Sequence, residues 1–128
     1  MWIKYNPNPV GNYVEDCVQR AMSAALGVDW DTASDIVHEF AKNMGLPEHN
    51  DAVWGAILRK NGFYRKVVPN SCPDCYTVKD FCIDHPRGVY VLKVSNHVVT
   101  VVDGNVYDSW NSLMELPQYY WYRGDDKQ

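Results

Sequence analysis

Three residues that are far apart in the chain have the side chains needed for nucleophilic acyl transfer. Cys17 stands at the start of an amphipathic helical segment, His97 opens a β-branched run, and Asp108 lies on the next such run. A helix dipole helps to hold a thiolate at the helix N-terminus. A carboxylate can hold one imidazole nitrogen, set the tautomer and leave the other nitrogen free for a thiol. The residue types therefore indicate a candidate Cys–His–Asp site.

Each of the three residues also has a purely structural explanation. A helical cysteine beside an apolar stripe is usually core. His97 alone would more often be a satisfied histidine of a sheet, and Asp108 could cap a turn. The catalytic interpretation therefore depends on whether the fold brings the three side chains together.

The pairing of the two β-branched runs can be predicted from the turn between them. Asp103-Gly104 is typical of a two-residue hairpin turn, and such a turn makes paired residue numbers add to 207. His97 and Asp108 then become diagonal neighbours on one face, with backbones about 7–8 Å apart and side chains within reach. A three-residue turn would break this parity, so the prediction depends on the Asp-Gly turn.

The surrounding elements are predicted from periodicity. Three helices fill the front half, where apolar residues recur at helical spacing before Gly27, before Gly45 and from about Asp51 to Lys60. A short helix capped by Thr77 follows. Strands are predicted at YRKVV, GVYVLKVS, HVVTVV, NVYDSW and YYWYR. We therefore expect one α+β domain over 1–128, with helices (about 12–62) packed on an antiparallel sheet (about 63–123).

The segments EDCVQRA, NHVVTVVDG and VYDSW, in this order and setting, resemble the papain-like cysteine peptidase superfamily. They are similar to its small bacterial and phage members, in particular the bacteriocin-leader-processing (double-glycine) peptidases. The resemblance implies a papain-like fold with Cys17 as nucleophile, His97 as general base and Asp108 as orienting residue. Asn111 is an alternative third member, because papain-like sites also use asparagine. It further implies cleavage of peptide or isopeptide bonds in a peptide or protein substrate, through an acyl-thioester and without a cofactor.

The chain departs from the family around the cysteine and after the aspartate. Family members usually carry a glutamine upstream of the cysteine that completes the oxyanion hole. This chain offers asparagines there, of which we take Asn12 for the role. The residue after the aspartate is Ser109, where leader-processing peptidases have proline. Glu15 and Asp16 add negative charge beside the cysteine and so oppose a thiolate, although acids suit the first turn of a helix.

The other three cysteines support a different hypothesis. Cys72, Cys75, Cys82 and His85 are spaced C-x2-C-x6-C-x2-H, a pattern that could bind one zinc ion tetrahedrally. Helical phase instead favours a core position for Cys82, with the CPDC segment as a turn. A small zinc-stabilised domain is therefore an alternative to the hydrolase, and a catalytically silent binding module on the same fold is another.

Composition and charge limit the class of protein and the partners that we expect. Hydrophobic residues make up 46% of the 128 residues and charged residues 22%, which is ordinary for a globular domain. The net charge of -4 gives nucleic-acid binding little support. The N-terminal segment lacks the apolar region of a signal peptide, and no apolar run reaches membrane-spanning length. We therefore expect a cytoplasmic protein with no membrane or nucleic-acid partner, whose cysteines are reduced thiols or metal ligands rather than disulfides.

Overall fold

The computed structural model describes residues 1–8, 16–68, 76–95 and 97–123. Within these ranges the chain forms four helices and one six-stranded sheet, an α+β arrangement. The strands are β1 Trp2–Lys4, β2 Phe63–Val67, β3 Val89–Val94, β4 His97–Val102, β5 Asn105–Asp108 and β6 Tyr119–Arg123. The helices are α1 Cys17–Leu26, α2 Trp30–Met44, α3 Asp51–Lys60 and α4 Val78–Asp84.

The helices begin and end where the sequence predicts. The Asp29 carboxylate accepts a hydrogen bond from the Thr32 amide at 2.8 Å and caps α2. Thr77 and Asp80 form a reciprocal capping box at the start of α4. Gly27 ends α1 in the left-handed conformation that glycine adopts without strain. Local side-chain chemistry thus sets the helix boundaries.

The sheet is mixed, which corrects the predicted antiparallel sheet. Its strand order is β1-β5-β4-β3-β6-β2, and β1 pairs in parallel with β5. The remaining pairs are antiparallel. The N-terminal segment has only three residues in β1, too few for a periodic pattern, and its partner strand lies about a hundred residues away. A prediction from local patterns therefore missed it.

The β4–β5 hairpin has the predicted register. Thr100 pairs with Tyr107 and Val102 with Asn105, so paired numbers add to 207. Asp103 and Gly104 form the turn, both with positive φ, as a two-residue turn of this hand requires. Because the strands are antiparallel, the start of β4 and the end of β5 lie at the same end of the hairpin.

Apolar side chains form two clusters, and the alternation along β3 assigns them to opposite faces of the sheet. Val91 belongs to the cluster that includes α1, α2 and α3, whereas Tyr90 and Leu92 belong to the cluster around α4. Helix α1 is buried almost all round, since it contacts α2 and the strands β3, β4 and β5. The helix that begins with Cys17 is therefore the central helix of the fold.

Candidate active site

Cys17 is the first residue of α1 and is half-buried, with a free thiol. Asp16 occupies the N-cap position, but its side chain makes no capping hydrogen bond to the helix. The amide groups of the first helical turn have no partners within the helix, and they give this end a partial positive charge. The thiol thus stands at the helix end that favours an anion.

His97 is the first residue of β4 and contacts the carboxylate of Asp108. Its Nε2 lies 2.7 Å from Oδ2 of Asp108, and the Cys17 side chain is the other neighbour that raises the pKa of the ring. Only 12% of the imidazole side chain is exposed. The indole of Trp110 packs on the imidazole, with ring centroids 5.1 Å apart. The ring is therefore held from two sides and partly shielded from water.

Asp108 ends β5 and is the most enclosed member of the set, with 1% of the residue exposed. Its Oδ1 accepts a hydrogen bond from the Ser109 amide at 2.8 Å, while Oδ2 faces His97. The backbone carbonyl of Asp108 accepts hydrogen bonds from the Tyr5 amide at 2.8 Å and from Trp2 Nε1 at 3.2 Å. The unpredicted strand β1 and the segment after it thus fix the aspartate.

Helix α1 is fixed to the sheet by a buried hydrogen bond. The Thr100 hydroxyl donates to the Ala21 carbonyl at 2.8 Å. Thr100 is on β4, three residues after His97, and Ala21 is one turn after Cys17. Because a buried hydrogen bond is costly to leave unmade, this contact holds the helix that carries Cys17 at a set position against the strand that carries His97.

The surroundings of His97 determine its charge. Burial by itself would lower the pKa of the imidazole, but the hydrogen bonds and charges of Asp108 and Cys17 outweigh it and raise the pKa from 6.5 to about 9. At neutral pH the ring is therefore an imidazolium with the Asp108 carboxylate and the Cys17 sulfur as its neighbours.

We expect the imidazole of His97 to titrate near pH 9, as followed by NMR of the histidine side chains. A group whose pKa is raised on folding adds stability that is fully present below its unfolded pKa and is lost as pH rises through the folded value. In Cys17→Ser, which removes the neighbouring thiol titration, the free energy of unfolding should fall by about 2 kcal/mol above pH 6.5. In the double variant Cys17→Ser/His97→Gln, the free energy of unfolding should not show this fall with pH. The same fall in the single and the double variant would contradict the raised pKa of His97.

Two charged residues beside the triad were not predicted as site residues. Arg20 lies on α1, and its Nη2 forms an ion pair with Asp16, while its Nη1 lies 3.5 Å from Oδ1 of Asp108. Asp16 also accepts hydrogen bonds from Trp30 Nε1 at 3.0 Å and from Asn8 Nδ2 at 3.3 Å. The available signal was the Asp-x-x-x-Arg spacing, which places the two side chains one helical turn apart.

The structure places the other predicted site residues as follows. Asn111 is exposed, and its Oδ1 accepts from the Leu113 amide at 3.1 Å, so Asp108 rather than Asn111 holds the imidazole. Asn12 lies outside the described residues.

The cysteine cluster is described only in part, since Cys72 and Cys75 lie outside the described residues. Cys82 is buried in the apolar cluster around α4, and this burial raises the pKa of its thiol. Nδ1 of His85 lies 2.9 Å from the Phe81 carbonyl, and the two rings stack with centroids 3.9 Å apart. Within the described ranges, no three histidine, cysteine or acidic side chains cluster as metal ligands would.

No protein-family model, no curated protein and no solved structure matches this chain. Among the helices in the described ranges, none has the length and apolar character needed to cross a membrane.

Proposed function

We propose that this chain is a papain-like cysteine hydrolase that cleaves peptide or isopeptide bonds. The observation that carries the proposal is the placement of His97, whose Nε2 lies 2.7 Å from the buried carboxylate of Asp108 and whose pKa is raised by both Asp108 and the Cys17 side chain. A nucleophile, a base in contact with it and a third group that orients the base are the parts that covalent acyl transfer needs. A nucleophile at the start of a central helix, facing a histidine on the sheet, also supports the papain-like assignment.

The chemistry follows from the positions of these groups. The Cys17 thiolate attacks the acyl carbon, and the imidazolium of His97 gives its proton to the leaving amine, which departs and leaves an acyl-thioester and a neutral imidazole. Neutral His97 then takes a proton from water as the water attacks the thioester, the carboxylic acid is released, and the Cys17 thiolate and the His97 imidazolium are restored. Asp108 keeps the ring oriented and balances its charge through both steps.

The oxyanion needs hydrogen-bond donors, and the helix start supplies them. The amides of the first turn of α1 are free of a side-chain cap from Asp16 and point out of the helix end. Asn8 is the described upstream asparagine that reaches this end, but its Nδ2 donates to Asp16. We therefore propose the Cys17 amide as the main oxyanion donor.

The experiment is alkylation of Cys17 with iodoacetamide, followed by mass spectrometry of the labelled peptide. We expect rapid labelling of Cys17 well below pH 8, and a loss of about tenfold or more at pH 7 in His97→Ala. His38→Ala is the matched control, because His38 also pairs with a carboxylate, Oε2 of Glu48 at 2.9 Å, but lies on the surface.

The outcomes separate the proposal from its alternative. Fast labelling that depends on His97 and not on His38 supports an activated thiol. Slow labelling that is the same in both variants would overturn the proposal and leave a catalytically silent fold. Cys82 provides an internal reference, since its buried thiol should label slowly in every protein.

A further inference from the structure

We propose that Arg20 is a positioning residue of this site. It neutralises the buried carboxylate next to the nucleophile and ties that carboxylate to the one that orients the histidine. The inference rests on the proposed function, because it concerns how the thiol of Cys17 is kept reactive. It assigns a role to an arginine that lies outside the Cys–His–Asp series.

Arg20 connects the two acidic groups of the site through one guanidinium. Its Nη2 pairs with Oδ1 of Asp16, and its Nη1 lies 3.5 Å from Oδ1 of Asp108. The side chain of Arg20 is 9% exposed, and those of Asp16 and Asp108 are 3% and 1% exposed. Charges this far from water are screened little by solvent, so their balance determines the local potential.

Asp16 adds a negative charge beside Cys17, and Arg20 compensates this charge. It directly precedes Cys17, and a buried carboxylate beside a thiol opposes the thiolate. The indole of Trp30 and the amide of Asn8 donate hydrogen bonds to Asp16 but add no positive charge. Arg20 supplies that charge from the same helix, one turn further on.

Among the described residues, two carboxylates contact this guanidinium. Asp16 occupies the N-cap position of α1, and Asp108 ends β5. His97 from β4 and Cys17 from α1 complete the set, through Asp108 and through each other. The positive charges of Arg20 and the His97 imidazolium compensate most of the negative charge of Asp16, Asp108 and the Cys17 thiolate. Without Arg20, the negative charge of Asp16 beside the sulfur is uncompensated.

A double-mutant cycle on the full chain tests this inference, with the rate of Cys17 alkylation by iodoacetamide measured against pH. Arg20→Gln keeps an amide that can donate to a carboxylate but removes the charge. We expect this variant to label about tenfold more slowly at pH 7 and to reach half its maximal rate about one pH unit higher. In the Asp16→Asn background, the same change at Arg20 should cost less than about threefold, because no buried charge is left to neutralise.

The outcomes are distinct from those that test the proposed function. An equal loss in both backgrounds, or no loss in either, overturns the role of Arg20 while the wild-type dependence on His97 still supports the hydrolase. If Arg20→Gln fails to fold by circular dichroism, Arg20→Lys decides, since it retains the charge. If Arg20→Lys is alkylated at Cys17 within about threefold of the wild-type rate, the result supports neutralisation of Asp16 by the charge of Arg20. A tenfold loss of this rate that Asp16→Asn does not relieve contradicts it.

Discussion

Asp108→Asn is expected to lower the pKa of His97 by about two units from its value of about 9. The substitution keeps the shape of the side chain but removes the negative charge 2.7 Å from Nε2. Burial, which favours the neutral ring, is then opposed only by Cys17. At pH 8 the imidazole should change from mostly protonated to mostly neutral. NMR titration of the histidine side chains measures this directly.

The same substitution should reduce reactivity strongly. Without an imidazolium beside it, the Cys17 thiolate loses its counter-charge, and alkylation at pH 7 should slow by about tenfold to a hundredfold. Under the proposed function, hydrolysis of a peptide substrate should fall by about 10²–10⁴-fold, the usual contribution of a positioned acid–base group.

Asn111→Ala is the matched control for Asp108→Asn. Asn111 is the other residue that could orient the histidine, but its Oδ1 accepts a hydrogen bond from the Leu113 amide instead. We expect the titration of His97 and the alkylation rate to stay at wild-type values in this variant. If Asn111→Ala lowered the pKa of His97 while Asp108→Asn left it unchanged, the assignment of the third residue would be reversed.

The hydrogen bond between His97 and Asp108 could be predicted because local chemistry determines it. A two-residue Asp-Gly turn sets the register of the strands from Val102–Asn105 to Thr100–Tyr107, and His97 and Asp108 meet just beyond the last of these pairs. The helix that carries Cys17 was equally predictable, since its apolar positions repeat at helical spacing and Gly27 ends it. These features depend on neighbours within about a dozen residues.

The features that were missed depend on pairings across the whole chain. Strand β1 is recognisable only from its partner, because Trp2 pairs with Val106 at the opposite end of the sequence. A three-residue strand has no pattern of its own. Yet this pairing brings the Trp2 indole and the Tyr5 amide to the carbonyl of Asp108, so the position of the aspartate depends on a long-range contact.

The charge of Asp16 shows why a sequence alone could not establish the electrostatics of the site. Taken by itself, an acid before Cys17 opposes a thiolate. The fold buries that acid against Arg20, with Trp30 as a further donor, so its charge is compensated. The sign of a charge can be read from a sequence, but the compensation depends on burial and distance, which only the fold supplies.

Trp54→Ala is expected to destabilise the protein by about 3–5 kcal/mol. Trp54 is 1% exposed and belongs to the apolar cluster shared by α1, α2 and α3. Its indole stacks on Tyr119 at 6.2 Å between centroids, and Nε1 donates to Asp51 at 3.2 Å. Removing the indole leaves a cavity, takes away the stacking partner of Tyr119 and removes the hydrogen bond to Asp51. The free energy of unfolding in urea measures the loss.

Trp110→Ala is the matched control, because it removes the same side chain from a residue that is 44% exposed. We expect it to cost less than about 1 kcal/mol, and its main effect to be greater access of water to the His97 ring on which it packs. Similar losses of unfolding free energy in the two variants would mean that the apolar cluster shared by α1, α2 and α3 is not the principal source of stability. A large loss of stability in Trp54→Ala alone would show that the apolar cluster shared by α1, α2 and α3 stabilises the fold. Trp110 would then contribute little to stability, and its role would be to shield the His97 imidazole from water.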